Sequence, residues 1–338
     1  MSKRIREAGV ALMAAGLCGG AYAQLSPDRT YYGINRAMPM TVSVPSGAEG
    51  VVEIGLFAPA DPGSGVTEPR ERASAEVGKV DLAGLFPVLW TTSQPTTLYA
   101  QLMVGGKKVG SPVVLQPMVS VEYASNGPQT PTGAAPVWAP RGSIAYSGIK
   151  AWSDKRVIME TTLGEIEIAM RPDMAPNSVW NFLELVEGGY YTDIIFHRVV
   201  PATQNGHPFV IQAGDPTGNG DGGPGHMIDL ERSTLEHDFG VLSMARTNDP
   251  NTNGSQFFLC LSREGTSFLD GRYTAFGQTV RGAEAIVSIS NVPLADPSRG
   301  RPAEPPVIKS ARTVAAPPFG EGARPVSRPA GDASNPQR

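Results

Sequence analysis

"GVLSMARTNDPNTNGSQFFLCL", residues 240–261, contains two apolar segments separated by a polar stretch. We interpret "GVLSMA" and "SQFFLCL" as strands, because the Asn, Asp, Pro and Gly residues between them favour a turn. Side chains alternate across a strand, so Gln256 and Phe258 point to one face and Phe257 points to the other. The stretch therefore predicts β structure with an amide and an aromatic ring side by side on one surface.

Two further segments extend this surface. In "FHRVV", residues 196–200, Arg198 shares a face with Phe196, and His197 faces away. In "FVIQ", residues 209–212, Val210 and Gln212 share a face. With regular strand pairing, one surface would combine Arg198, Gln212, Gln256 and Phe258.

The neighbouring sequence predicts the remaining framework. "RVIMETTLGEIEIAM" reads as two strands around a Leu-Gly turn. "MAPNSVWNFLELVEGGYY" predicts a helix, with Pro176 in its first turn and Gly188 at its end, and "GAEAIVSI" predicts a second helix. Antiparallel strands with two helices favour a mainly β fold in which helices cover the ends of a closed barrel.

"FHRVVP", "FVIQAGD", "GVLSMARTNDPNTNGSQFFLCL" and "FLDGRYTAFGQTV", in this order, resemble the cyclophilin family of peptidyl-prolyl cis-trans isomerases. The resemblance covers residues from about Arg156 to Val292, and "PNTNGSQFF" is its most specific part. It implies an eight-stranded antiparallel barrel capped by two helices. It also implies catalysis of rotation about X–Pro peptide bonds, without a cofactor or a metal.

The resemblance assigns roles to particular positions. Arg198 matches the catalytic arginine, and Gln212 matches a side chain that orients it. The other matched residues bind the substrate: the pocket walls Phe209, Val210, Phe258 and Leu269, the amide Gln256, the peptide-pairing edge Ala245 and Arg246, and the rim residues Phe268 and Tyr273.

Four of these positions depart from the commonest pattern of the family. Phe268 stands where many eukaryotic members have tryptophan, Tyr273 replaces a histidine, Val210 replaces a methionine, and Arg246 replaces an asparagine. We expect these changes to tune substrate preference. Together with the style of the signal peptide, Phe268 favours a bacterial protein.

None of the four histidines has the spacing of a zinc site or of a general base. Isomerisation moves no proton, so we expect a structural role for His197. Asp215 and Asp270 follow strands beside Pro or Gly, where a carboxylate fixes turns. The insertion "ATQNGHP", residues 202–208, is expected to project beside the pocket.

The rest of the chain predicts four more segments. Residues 1–23 have a basic start, an apolar run and the cleavage-type "AYA", which indicate a signal peptide. Residues 24–122 predict a small β-sandwich-like domain of unknown role. Residues 123–150, rich in Pro, Gly and Ser, are expected to be a linker. Residues 293–338 are expected to form a Pro-rich disordered tail.

These features predict an exported isomerase, periplasmic or extracellular, that assists the folding of proline-containing polypeptides. With a net charge of −4, nucleic acid is not an expected partner. We expect a monomer without stable membrane insertion after signal cleavage. One alternative is a proline-peptide binding scaffold or chaperone with little turnover. Another gives the N-terminal domain its own role in recruiting clients or docking to the cell envelope.

Overall fold

The computed structural model describes residues 24–59, 68–120, 122–130, 133–140 and 145–330. The predicted signal peptide, residues 1–23, lies outside these ranges. Within the described ranges, no helix combines the length and apolar character needed to cross a bilayer.

The N-terminal half is built almost entirely from short strands. They are β1 (Gln24–Pro27), β2 (Tyr31–Gly33), β3 (Pro39–Ser43), β4 (Val52–Phe57), β5 (Glu71–Ser74), β6 (Gly78–Asp81), β7 (Leu98–Val104), β8 (Lys107–Lys108), β9 (Val113–Val119), β10 (Glu122–Asn126), β11 (Pro136–Pro140) and β12 (Tyr146–Ser153). Two single-turn helices, α1 (Leu82–Leu85) and α2 (Val88–Thr91), follow β6.

Ten of these strands form two sheets that enclose one core. The smaller sheet has the order β1-β3-β6, and the larger has the order β2-β12-β9-β7-β4-β5, with β8 paired to β7. On β3, Met40 and Val42 are fully buried while Thr41 between them is half-buried, as alternation requires. They pack with Ile54 and Leu102, which are register partners on β4 and β7. The structure thus contains the predicted sandwich-like domain.

The predicted linker over residues 123–150 is wrong. Strand β12 pairs with β9 and β2, so it is an integral part of the N-terminal sheet, which ends at Ser153. Strands β10 and β11 form a separate antiparallel hairpin. Prolines are tolerated at such edge positions, so a Pro-rich composition did not exclude strands here. The domain accordingly extends beyond the predicted boundary at residue 122.

The C-terminal half contains the remaining elements. The strands are β13 (Lys155–Thr161), β14 (Gly164–Met170), β15 (Ile194–Ile195), β16 (Arg198–Val200), β17 (Val210–Ala213), β18 (Val241–Met244), β19 (Phe257–Cys260), β20 (Ala275–Arg281), β21 (Leu294–Asp296), β22 (Arg301–Pro302) and β23 (Val307–Ala315). The helices are α3 (Pro176–Glu187), α4 (Arg263–Thr266) and α5 (Ala283–Ser290), with a 3-10 turn at Ser267–Leu269.

The main C-terminal sheet is antiparallel, with the order β15-β23-β13-β14-β20-β18-β19-β17-β16. Its two end strands, β15 and β16, belong to one continuous segment, residues 194–200. The sheet order therefore begins and ends on the same stretch of chain. The mainly β fold class is confirmed, and so are both predicted helices. On α3 the apolar stripe formed by Val179, Phe182, Leu183 and Val186 is buried.

The tail prediction for residues 293–338 is wrong for the part that the structure describes. Strand β23 lies between β15 and β13 and pairs with both. Beyond it, the segment 316–330 returns to both halves of the molecule. Phe319 packs on Phe57 and Tyr99 of the N-terminal domain, with ring centroids 4.9 Å apart in each pair. Further on, the Val326 N–H donates to the Thr279 carbonyl at 2.9 Å.

A single residue, Asp154, separates the last strand of the N-terminal domain from the first strand of the C-terminal one. Its backbone N–H donates to the Pro112 carbonyl, and its carbonyl accepts from the Ala316 N–H. Across the same interface, the buried Lys150 ammonium lies 3.7 Å from the centre of the Trp180 ring on α3. The two halves are therefore joined by packed contacts instead of a linker.

Candidate active site

Strand alternation in the C-terminal sheet divides apolar side chains between two clusters. Ile211, Phe257 and Leu259 belong to the large internal core. Their sequence neighbours Val210 and Phe258 belong to a second cluster on the opposite face. This second face also carries Arg198, Gln212 and Gln256, and for β17 and β19 the predicted alternation holds. Phe196, expected to share a face with Arg198, lies instead in the internal core with Val199, because residues 196 and 197 fall between β15 and β16 and are not part of a regular strand.

A row of polar side chains crosses this face. Arg198 and Gln212 are register partners on β16 and β17, and the Arg198 Nη1 donates to the Gln212 Oε1 at 3.2 Å. The Gln212 Nε2 donates to the Gln256 Oε1 at 3.0 Å. The Gln256 Nε2 then donates to the carbonyls of Gly220 and Gly222 at 2.8 and 2.9 Å. Each amide is thereby oriented, and the row fixes the guanidinium of Arg198.

An apolar cluster, which forms the predicted proline pocket, lies beside this row. Phe258 is the register partner of Gln212, and its buried ring meets the Tyr273 ring edge-on at a centroid distance of 5.8 Å. Val210 and Leu269 are also buried in the same cluster. Phe209 stacks on Phe268 at 5.7 Å, and Phe268 remains 37% exposed. The structure therefore brings the predicted wall and rim residues together.

The predicted peptide-pairing edge follows strand β18. The Ala245 N–H donates to the Gln256 carbonyl at 2.9 Å. The Arg246 guanidinium lies over the Tyr273 ring, 4.5 Å from its centre. These residues, together with Gln212 and Gln256, line a cleft of about 770 Å³ that continues along the loop 220–227.

Electrostatics at Arg198 are set mainly by its half-buried position. Burial lowers the pKa of the Arg198 guanidinium, and the nearby Tyr273 acts in the opposite direction. Arginine remains protonated in proteins despite such shifts. The site therefore presents a fixed positive hydrogen-bond donor next to an apolar pocket.

A buried network beneath the pocket was missed by sequence reasoning. The His237 ring stacks against Phe258 at 6.0 Å, its Nδ1 contacts the Asp270 Oδ1 at 2.9 Å, and its Nε2 contacts the Ser243 Oγ at 2.9 Å. Burial alone would raise the pKa of Asp270, but the hydrogen bonds from His237 and Arg263 outweigh it and lower the pKa to about 2. His237 and Asp270 are 33 residues apart in the sequence, so no local spacing predicted this pair.

His197 and Asp215 are the other titratable residues with predicted structural roles. His197 is buried, and burial lowers its pKa. Asp215 accepts hydrogen bonds from the N–H groups of Thr217, Asn219 and Gly220, as expected of a turn-fixing carboxylate. In the described part of the chain, no group of three or more His, Cys, Asp or Glu residues could hold a metal ion.

Comparison with known proteins identifies the C-terminal half. The family described as "Cyclophilin type peptidyl-prolyl cis-trans isomerase/CLD" matches residues 156–313. The peptidyl-prolyl cis-trans isomerase ppi1 of Schizosaccharomyces pombe is 42% identical over 164 residues, which cover 47% of this chain and 97% of that protein. The family match extends beyond the predicted end at residue 292 and includes most of β23.

A longer relative and a solved structure also match this half of the chain. The peptidyl-prolyl cis-trans isomerase-like 2 of Rhizopus delemar is 40% identical over 159 residues. The matched region covers 46% of this chain but only 28% of that protein's length. A solved cyclophilin-type isomerase of Cryptosporidium parvum is 34% identical and is matched over 48% of this chain and 99% of its own, with a TM-score of 0.43. These relatives are eukaryotic, so the predicted bacterial origin receives no support from them.

The fission yeast protein is matched over almost its whole length at a level of identity that shows common family membership. The chain belongs to the cyclophilin-type peptidyl-prolyl cis-trans isomerase family.

Proposed function

We propose that the protein catalyses cis–trans isomerisation of X–Pro peptide bonds in polypeptide substrates. The observation that carries this proposal is the placement of the Arg198 guanidinium beside the apolar Phe258 pocket, held by the Gln212 and Gln256 amides. The relatives' names support the same activity.

The chemistry of the reaction fits this arrangement. Amide resonance opposes rotation with a barrier of about 18–20 kcal/mol. At the twisted transition state the proline nitrogen regains its lone pair and becomes a better hydrogen-bond acceptor. A donor aimed at this nitrogen stabilises the transition state more than the planar ground state, which is the condition for catalysis.

Each part of the site has a role in this scheme. The pocket around Phe258 holds the proline ring, and Arg198 donates to the prolyl nitrogen. Gln212 orients Arg198, while Gln256 and the backbone at Ala245 bind the chain next to the proline. No bond is broken and no proton is transferred, so the residues of the chain suffice for the reaction.

A protease-coupled assay with a proline-containing chromogenic peptide tests the proposal. Wild type should accelerate the slow phase, and Arg198→Ala should lose about a hundredfold to a thousandfold in kcat/KM, as when a single transition-state donor is removed. Arg198→Lys keeps the charge but not the fork of donors, and should remain well below wild type. Peptide binding without acceleration by wild type would favour the scaffold alternative.

We further propose that the protein is a bacterial one, exported as a monomer to the periplasm or the cell exterior, where it assists the folding of other exported proteins. The motivation is the basic and apolar sequence of residues 1–23. Mass spectrometry of the mature protein should find Gln24 as the first residue. An intact N-terminus in the purified cellular protein would contradict export by cleavage.

A further inference from the structure

Two of the residues that depart from the usual family pattern, Arg246 and Tyr273, contact each other at the rim of the cleft. The Arg246 Nη1 donates to the Thr247 carbonyl at 2.9 Å, and its Nη2 donates to the Arg272 carbonyl at 2.9 Å. The guanidinium is thereby held over the Tyr273 ring, which in turn packs edge-on against Phe258. The rim is thus linked to the floor of the pocket.

The same rim is tied to the N-terminal half of the molecule. The Arg272 Nη1 donates to the Gly133 carbonyl at 2.9 Å and to the Thr130 Oγ1 at 3.3 Å. Both acceptors lie in the connection between β10 and β11. A continuous series of contacts therefore runs from this hairpin through Arg272 to Arg246 and Tyr273.

The hairpin is also fixed at its base. The Asn251 Nδ2 donates to the Ala124 carbonyl at 2.8 Å, and the Arg232 guanidinium lies 4.6 Å from the centre of the Trp138 ring. Ala124 and Trp138 are register partners and share the face toward the isomerase domain. Asn251 precedes Thr252, which lines the cleft. The hairpin is therefore anchored at two points along one side of the cleft.

We propose that the β10–β11 hairpin is a positioning element for substrate binding: through Arg272 it fixes the Arg246–Tyr273 pair at the rim and so strengthens binding of the polypeptide next to the target proline. Arg272 is a positioning residue in this scheme, because it acts through Arg246. The inference builds on the proposed isomerase function and gives the N-terminal domain a part in it.

Steady-state kinetics of Arg272→Ala test the inference on the full chain. KM for a proline-containing peptide should rise about threefold to tenfold, the range expected when one net hydrogen bond is lost. The kcat should stay within about twofold of wild type, because Arg198 and the pocket floor are untouched. Arg232→Ala is the matched control: it removes the Arg232–Trp138 contact at the base of the hairpin but leaves the Asn251 and Arg272 contacts in place, so KM should rise less than for Arg272→Ala.

A double-mutant cycle separates positioning from general destabilisation. In an Arg246→Ala background, Arg272→Ala should produce little further change in KM, because its effect passes through Arg246. Equal KM for Arg272→Ala and Arg232→Ala, or fully additive effects in the cycle, would overturn the inference. If Arg272→Ala does not fold, Arg272→Lys replaces it. A lysine retains one donor group, so KM should increase by less, and a wild-type KM would count against the inference.

The outcome for the proposed function is measured separately. Arg198→Ala in the same assay shows whether turnover depends on the site. If wild type has no turnover, the isomerase proposal fails, and the affinity of the same peptide, measured by fluorescence anisotropy, replaces KM. A weaker affinity for Arg272→Ala than for Arg232→Ala would then still support the positioning role.

Discussion

Phe319→Ala tests whether the C-terminal segment stabilises the junction between the two halves. The Phe319 ring is partly buried in an interdomain cluster with Phe57, Tyr99 and Trp152 of the N-terminal domain and Trp180 of α3. The substitution removes the ring but leaves the main-chain contacts. The Phe319 N–H still donates to the Gln101 Oε1, and its carbonyl still accepts from the Lys108 Nζ.

The magnitude follows from the burial of the ring. Truncation of a fully buried phenylalanine costs about 3–5 kcal/mol. Because Phe319 is only partly buried, we expect a loss of about 2 kcal/mol in the free energy of unfolding. With an unfolding entropy of about 2.1 cal/mol/K per residue, this loss corresponds to a fall in Tm of about 3 °C if the chain unfolds as one unit.

Differential scanning calorimetry measures this fall. Wild type should unfold in one transition, because one residue joins the halves and the segment 316–330 contacts both. Leu163→Ala, which truncates a 40% exposed side chain in the β13–β14 turn, is the control and should change stability by no more than about 0.5 kcal/mol. An unchanged Tm for Phe319→Ala, or two separate transitions in wild type, would refute the reasoning.

Three further predictions concern stability and specificity. Gly265→Ala should lower the free energy of unfolding by about 1–3 kcal/mol, because a Cβ there would lie 1.9 Å from the Pro208 carbonyl oxygen. Chemical denaturation measures this loss, and an unchanged free energy of unfolding would show that the loop adapts easily. Burial, assisted by repulsion from Asp173, raises the pKa of Asp154 to about 7, so its native carboxyl keeps a proton that the unfolded chain releases near pH 4. Stability should therefore fall as pH rises from about 4 to 7. Asp154→Asn should remove that part of the fall, on the order of 4 kcal/mol, and parallel pH profiles of Tm would contradict this. Shortening the loop 202–208 should leave Tm close to that of wild type but change the relative kcat/KM values of several X–Pro peptides. The same relative values for wild type and the shortened protein would mean that the loop does not affect substrate preference.

The parts of the fold that sequence patterns predicted are those with local signals. Helix α3 has a proline at its start and an apolar stripe, and both are visible within twelve consecutive residues. The polar row of the site was predictable because alternation alone places Gln256 and Phe258 on one face. The mainly β class and the family follow from such short segments in their order along the chain.

The parts that were missed depend on partners distant in sequence. Strand β23 has only Ile308 buried, so its pattern carried almost no periodic signal, and the prolines on both sides of it, such as Pro306 and Pro317, suggested disorder. Strand β12 and the hairpin were assigned to a linker by composition, although pairing partners stabilise them. The contact between Arg272 and Gly133 joins residues more than a hundred positions apart. No local pattern could indicate that contact.

The most direct test of the central claim measures isomerisation without a protease. Exchange NMR on a proline-containing peptide, with the protein in catalytic amounts, reports the rate of interconversion between cis and trans forms. Wild type should increase this rate far above the uncatalysed one, and Arg198→Ala should lower the catalysed rate about a hundredfold or more while Tm stays close to that of wild type. Equal catalysed rates for the two proteins would contradict the role of Arg198, and a wild-type rate equal to that of the free peptide would contradict the isomerase function.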